Sequence, residues 1–215
     1  MIKLILFLFP RYIIYMDNRF YGKIATAIFF VILLLDIFTD VLKVKNTKKV
    51  KMNGIMIAML GLFLLLIIDY ASDFITYNYL DDYLKKDAPV LAGCEERSYY
   101  DAILAGVSEE LVLRLIVFNV ILIKFCKLSI NKSIIISAVL FGLTHINQYI
   151  SYGTNIYSTL ATIISSIPAG LILAYVYANT NLTTAIVIHF LLDFIDFIFL
   201  RCNKTLYSKM LFIND

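Results

Sequence analysis

The sequence predicts an all-α, polytopic integral membrane protein, a single helical bundle with about six to seven transmembrane helices. Three observations carry that prediction. Hydrophobic residues make up 61% of the 215 and charged residues only 16%, against roughly 45–50% and about 25% in soluble globular chains. The mean hydropathy is +0.84. The apolar residues also fall in uninterrupted runs of about twenty, the length a helix needs to cross the hydrocarbon core.

Six stretches have that length: Lys23–Leu42, Asn53–Ser72, Ala102–Ile123, Ser129–Asn147, Tyr157–Asn179 and Leu182–Leu200. Ile2–Met16 is apolar but short, holds Pro10 and Arg11, and lacks a small-residue cleavage site. It makes a poor signal peptide and reads as a seventh span or an interfacial helix. No repeat, low-complexity tract or Pro/Gly/Ser-rich linker divides the chain. The expected organisation is one membrane domain over 1–215, with N-terminal helices and an acidic loop in 1–101 and a motif-bearing core in 102–200.

Lys43, Lys45, Lys48, Lys49 and Lys51 cluster in one short connection, and Lys124, Lys127 and Lys132 lie two crossings later. Basic short loops stay on the cytoplasmic side, so both are expected there. Arg201, Lys204 and Lys209 dissent, because six spans would bring that tail out on the opposite face. A formal charge of +3 with no continuous basic face argues against a nucleic-acid partner. Cys94, Cys126 and Cys202 have no metal-ligand spacing and form no disulfide framework.

Charge inside an apolar helix costs a few kcal/mol or more per residue and marks a functional site by default. Glu109, Glu110 and Arg114 sit inside Ala102–Ile123. On a helix Glu110 and Arg114 are i and i+4 and neutralise one another, while Glu109, turned by about 100°, points elsewhere and is left for chemistry. Two further i, i+4 pairs follow, Phe141 with His145 and His189 with Asp193, and these two histidines are the only ones in the chain. Successive helices run antiparallel, so Glu109 near the start of its helix and His145 near the end of the next approach one membrane surface. His189 and Asp193 can join them in a common cavity.

These residue types have a use in hydrolysis. A carboxylate facing an imidazole can hold a water and take its proton, with Glu109 as general base and His145 orienting the water or returning the proton. His189 and Asp193 can stabilise the oxyanion formed when water attacks an amide. The other arrangement is a zinc held by Glu109, His145, His189 and Asp193, although the local H-E-x-x-H pattern is absent. Phe141 reads as a packing residue that walls the cavity. Asp36 with Asp40, and Asp69 with Asp73, are further acidic i, i+4 pairs, the first unexplained at its depth and the second near a helix end. Pro168 and Gly170 interrupt Tyr157–Asn179, as kinked helix packing or as a means of widening a cavity.

At these positions the chain resembles the CPBP intramembrane proteases, the family of CAAX prenyl endopeptidases and bacterial Abi or bacteriocin-immunity proteins. The resemblance rests on E-E-x-x-x-R, F-x-x-x-H and H-x-x-x-N/D in that order: Glu109-Glu110 with Arg114, Phe141 with His145, and His189 with Asp193. It covers about Ala102–Leu200. It implies an all-helical membrane fold with a cavity open to one side, and peptide-bond hydrolysis by water that Glu109 and His145 activate. His189 and Asp193 would serve as oxyanion stabilisers or as metal ligands, so the cofactor is none or zinc. An Asp in place of Asn at 193 can donate to an oxyanion only if protonated; ionised, it orients His189 or binds a cation.

The expected protein is therefore an intramembrane endopeptidase of a bacterial cell membrane. Its substrate would be a membrane-associated peptide or protein, and its role bacteriocin self-immunity or peptide maturation. A non-catalytic membrane binding or immunity protein, using the polar cluster as interhelical glue, is the alternative. A proton or ion pathway fits less well, since paired interrupted helices and an internal repeat are lacking.

Overall fold

In the computed structural model the described residues are 18–39, 42–44, 52–79, 99–146, 156–196 and 209–210. Among them are six helices and no strand. These are α1 (Asn18–Phe38), α2 (Gly54–Tyr79), α3 (Tyr99–Glu110, continuing directly as Leu111–Phe125), α4 (Ile130–Thr144), α5 (Ile156–Asn179) and α6 (Leu182–Phe194). Each falls on one of the six apolar stretches. Ile2–Met16, Asp40, Cys94, Cys202, most of the acidic connection and the basic tail at Arg201 and Lys204 lie outside the described residues. Cys126 is exposed and free.

Three helices contain runs long and apolar enough to span a membrane: Phe20–Phe38, Gly54–Ile75 and Thr159–Asn179. The described parts of α4 and α6 are shorter, 15 and 13 residues. At 1.5 Å per residue they extend about 20 Å, less than a hydrocarbon core of roughly 30 Å. The chain is thus a multi-pass membrane protein, and the expected spans Ser129–Asn147 and Leu182–Leu200 are described only in part. From Leu111 onward α3 is wound wider than an α-helix, and at its end the Cys126 N–H bonds to the Ile121 carbonyl at 2.8 Å, five residues back. Such i→i+5 winding is rare and concentrates at functional sites.

The bundle is apolar outside and partly polar inside. Phe38, Ile55, Met59 and Ile164 are each more than 60% exposed, whereas Glu110, Arg114, Asn119, Ser137 and His189 are buried. That inversion is what lipid as a solvent selects. One interior cluster joins Ala25 and Ile32 of α1 to Phe118, Tyr177 and Ala185. A second joins Ile57 and Leu65 of α2 to Leu113, Phe141, Leu173 and Ile188. The N-terminal helices therefore complete both cores of the motif helices. Tyr177 adds a polar tie, accepting from Asn119 Nδ2 at 3.0 Å and donating to the Leu42 carbonyl at 2.8 Å.

Two close approaches set the helix positions. At Gly106 of α3 a Cβ would lie 3.1 Å from Phe190 N and 3.3 Å from Ile186 O, so the backbones of α3 and α6 touch there. At Gly142 of α4 it would lie 2.6 Å from Ile163 O of α5. Small residues that let backbones meet are the usual means of packing helices in lipid. Pro168 lies within α5, which continues on both sides of it.

Asp36, unexplained in sequence, has a structural task. Its Oδ2 accepts from Thr183 N at 2.7 Å and from Thr183 Oγ1 at 2.5 Å, while Asn181 caps the same turn through Thr184 N at 2.8 Å. A carboxylate from α1 thus satisfies the Thr183 N–H in the first turn of α6 and complements the positive end of its dipole.

Candidate active site

The site begins where α3 changes winding. Glu109 and Glu110 are adjacent but meet opposite surroundings. Glu110 is fully buried and its carboxylate is gripped from both sides. Arg114 Nε donates to Oε2 at 3.0 Å, and His189 Nδ1 lies 3.0 Å from Oε1. Glu109 keeps 25% of its side chain exposed, and its Oε2 lies 3.9 Å from His189 Nε2. Glu110 is thus paired with both Arg114 and His189, while Glu109 is partly exposed and approaches the other nitrogen of His189.

Arg114 is fully buried as well. Its Nη1 donates to Ser137 Oγ of α4 at 2.8 Å, and the Ser137 hydroxyl donates onward to the Leu113 carbonyl at 3.3 Å. The guanidinium carbon sits 5.3 Å from the centre of the Phe141 ring, a cation–π contact. Arg114 Nη2 has no hydrogen-bond partner among the described residues. Phe141 is thus more than a wall: its ring meets His145 edge-on at 5.5 Å and His189 at 5.8 Å, between the two imidazoles and under the guanidinium.

Both histidines have one nitrogen committed. His189 Nδ1 faces a carboxylate that an arginine keeps ionised, which can only accept, so Nδ1 carries the proton. His145 Nδ1 lies 3.2 Å from the Phe141 carbonyl, again an acceptor. Each ring is left with Nε2 for other work. His189 Nε2 has Glu109 Oε2 and Asp193 Oδ2 each at 3.9 Å, a gap that suits a bridging water. His145 Nε2 faces Ser166 Oγ of α5 at 3.5 Å, while that hydroxyl donates to the Thr162 carbonyl at 2.7 Å.

All seven residues singled out in the sequence therefore belong to one connected cluster on α3, α4 and α6, but in a different pairing. The contact recorded for Glu109 is to His189, and His145 approaches the cluster through Phe141. Ser137, Ser166 and Gly106 were not singled out. Ser137 lies four residues before Phe141, on the face that also carries His145, and that spacing was the available signal.

For zinc, the fit rests on the donor set. His189 Nε2, Glu109 and Asp193 are ligand types that zinc accepts, and Glu110 would act as the carboxylate that orients the histidine ligand. The tightest acidic group among the described residues lies elsewhere, however: Asp69, Asp73 and Asp196 offer oxygens within 4.8 Å of one another. No motif residue lines the apolar groove of about 330 Å³ bounded by Ile57, Gly61, Ile134, Ile172 and Tyr175.

The fold and cluster together define a multi-pass membrane protein with a buried Glu/Arg/His site. Residues 98–195 match the family model described as type II CAAX prenyl endopeptidase, Rce1-like, a little under half of the chain but the half that carries every motif residue. Over those residues the chain is similar to the CAAX-type intramembrane proteases. No curated protein and no solved structure matches the chain.

Proposed function

We propose that the chain hydrolyses a peptide bond in a membrane-associated peptide or protein, with water activated by Glu109 and His145. The observation that carries the reading is the asymmetry of the adjacent carboxylates: Glu110 locked between Arg114 and His189, Glu109 left partly open beside an available imidazole nitrogen. Glu109 takes a proton from the water, and the resulting hydroxide oxygen bonds to the scissile carbonyl carbon. His145, with its proton held on Nδ1 by the Phe141 carbonyl, offers Nε2 to orient that water. His189, when doubly protonated, donates from Nε2 to the oxyanion while Glu110 holds the ring at Nδ1, and Asp193, 3.9 Å from Nε2, borders the same position. The proton on Glu109 then passes to the departing nitrogen as the C–N bond breaks and the carbonyl re-forms, giving a carboxylic acid and an amine. Zinc, if bound, would be held by His189, Glu109 and Asp193, with His145 the remaining donor proposed, and would supply Lewis-acid polarisation of the carbonyl.

A bacterial membrane and a role in bacteriocin self-immunity or peptide maturation complete the reading. A prenylated substrate is not required by it. The test is cleavage of a membrane-partitioning fluorogenic peptide library by detergent-purified protein, wild type beside Glu109→Gln, with and without a strong chelator. Activity that survives the chelator and disappears in Glu109→Gln is expected from metal-free water activation. Loss with chelator and recovery with zinc assigns the metal arrangement. Wild-type turnover in folded Glu109→Gln removes the mechanism, and protection of cells by that variant favours a binding protein.

A further inference from the structure

Ser137 belongs to none of the three motifs, yet it is fully buried and stands at the head of a polar chain that runs across the bundle. Its Oγ accepts from Arg114 Nη1 at 2.8 Å, Arg114 Nε donates to Glu110 Oε2 at 3.0 Å, and Glu110 Oε1 holds His189 Nδ1 at 3.0 Å. We propose that Ser137 is a positioning residue for this site, fixing the guanidinium on α3 and thereby the tautomer and angle of His189 on α6. The inference rests on the hydrolase reading for its consequence in turnover, but its structural content can be measured without any substrate.

The physical argument lies in the unequal satisfaction of the guanidinium. Nε and Nη1 are bonded, and Nη2 has no partner among the described residues. The group is therefore held in rotation by two bonds, one of them to Ser137. Removing the Ser137 oxygen leaves both terminal nitrogens orphaned in a buried place, where an unmade hydrogen bond is costly. The guanidinium is then free to turn about its remaining bond to Glu110, whose other oxygen is occupied by His189. Competition for that oxygen releases Nδ1. The Leu113 carbonyl, which accepts from the Ser137 hydroxyl at 3.3 Å, keeps the serine oxygen aimed at Arg114 and pins α4 to α3 one residue before it.

The chain holds two histidines, so a sample labelled with ¹⁵N in the histidine rings gives two sets of signals, assigned with a His145→Gln control. The relay makes an inverted prediction about distance along the chain. His145 lies on the same helix as Ser137, while His189 is on another, yet Ser137→Ala should shift the His189 Nδ1 signal and leave His145 in place. Ser137→Cys, which nearly keeps the volume and offers a poor acceptor, should do the same and carries the test if the alanine variant does not fold. An unchanged His189 signal in a folded variant, or a His145 shift of equal size, overturns the proposal. Turnover of a cleaved peptide is expected to fall on the order of tenfold with KM unchanged, the scale seen when a supporting partner of a reacting group is removed. If the wild type cleaves nothing, the hydrolase reading fails while the ring spectra still decide the role of Ser137.

Discussion

The two sides of the candidate site differ in almost every physical respect although they begin on adjacent residues. On one side Glu110, Arg114 and Ser137 are fully buried and joined by bonds of 2.8–3.0 Å. On the other, Glu109 and Asp193 keep 25% and 17% of their side chains exposed and stand 3.9 Å from His189 Nε2. The first is a lock and the second is loosely spaced and partly exposed. His189 belongs to both, with one nitrogen in each. The comparison teaches that two adjacent glutamates can meet opposite surroundings, one fully bonded and one partly exposed, without any intervening chain.

The division predicts how the two glutamates fail. Glu110→Gln removes one partner of a buried ion pair and leaves Arg114 uncompensated, a loss of about 3–5 kcal/mol. The variant should melt well below wild type in a detergent thermal scan and be inactive. A Glu110→Leu, Arg114→Met double variant should recover much of that stability but none of the activity, whereas equal melting of all three proteins would dissolve the distinction between the two sides. Glu109→Gln should lose about 10²–10⁴-fold in turnover, the range of a general base, with its melting temperature unchanged. A fall in melting as large as that of Glu110→Gln would mean that Glu109 is part of the lock.

Smaller effects sharpen the boundary. In Gly106→Ala the new methyl, 3.1 Å from Phe190 N, must push α6 off α3. Overpacking of this kind costs about 1–3 kcal/mol, and several-fold lower turnover is expected as the Glu110–His189 bond lengthens. Full activity would show that the site tolerates the displacement. Asp36→Ala removes the two bonds to Thr183 and should cost about 1–2 kcal/mol of stability. Turnover at temperatures where the variant is folded should stay at wild type, and a large loss there would extend the site to α1.

Much of the fold was legible because apolar length is a direct readout of bilayer thickness, and among the described residues a helix falls on each of the six apolar stretches. The wider winding of α3 from Leu111 onward was not legible, since hydropathy is blind to how tightly a helix is wound. For the site, spacing of four residues on one helix gave Glu110 with Arg114, Phe141 with His145 and His189 with Asp193. It could not give the bond from His189 to Glu110, which joins α6 to α3, nor the reach of Ser137 to Arg114. Those depend on how close two backbones come, which Gly106 helps set for α3 and α6 and which no periodicity along a single helix encodes. Asp36 shows the same limit: its partner Thr183 is 147 residues away.

That long reach bears on modularity. The segment matched by the family, 98–195, contains α6 but not the carboxylate that finishes its first turn, and it contains one wall of each interior cluster but not the α1 and α2 residues that close them. Excised, it would expose the backs of Tyr177 and Leu173 to lipid and leave the opening N–H of Thr183 without its acceptor. The residues named by the motifs are thus a description of the chemistry, and the unit able to stand by itself is larger. An alignment of the core alone would understate what has to be inherited together.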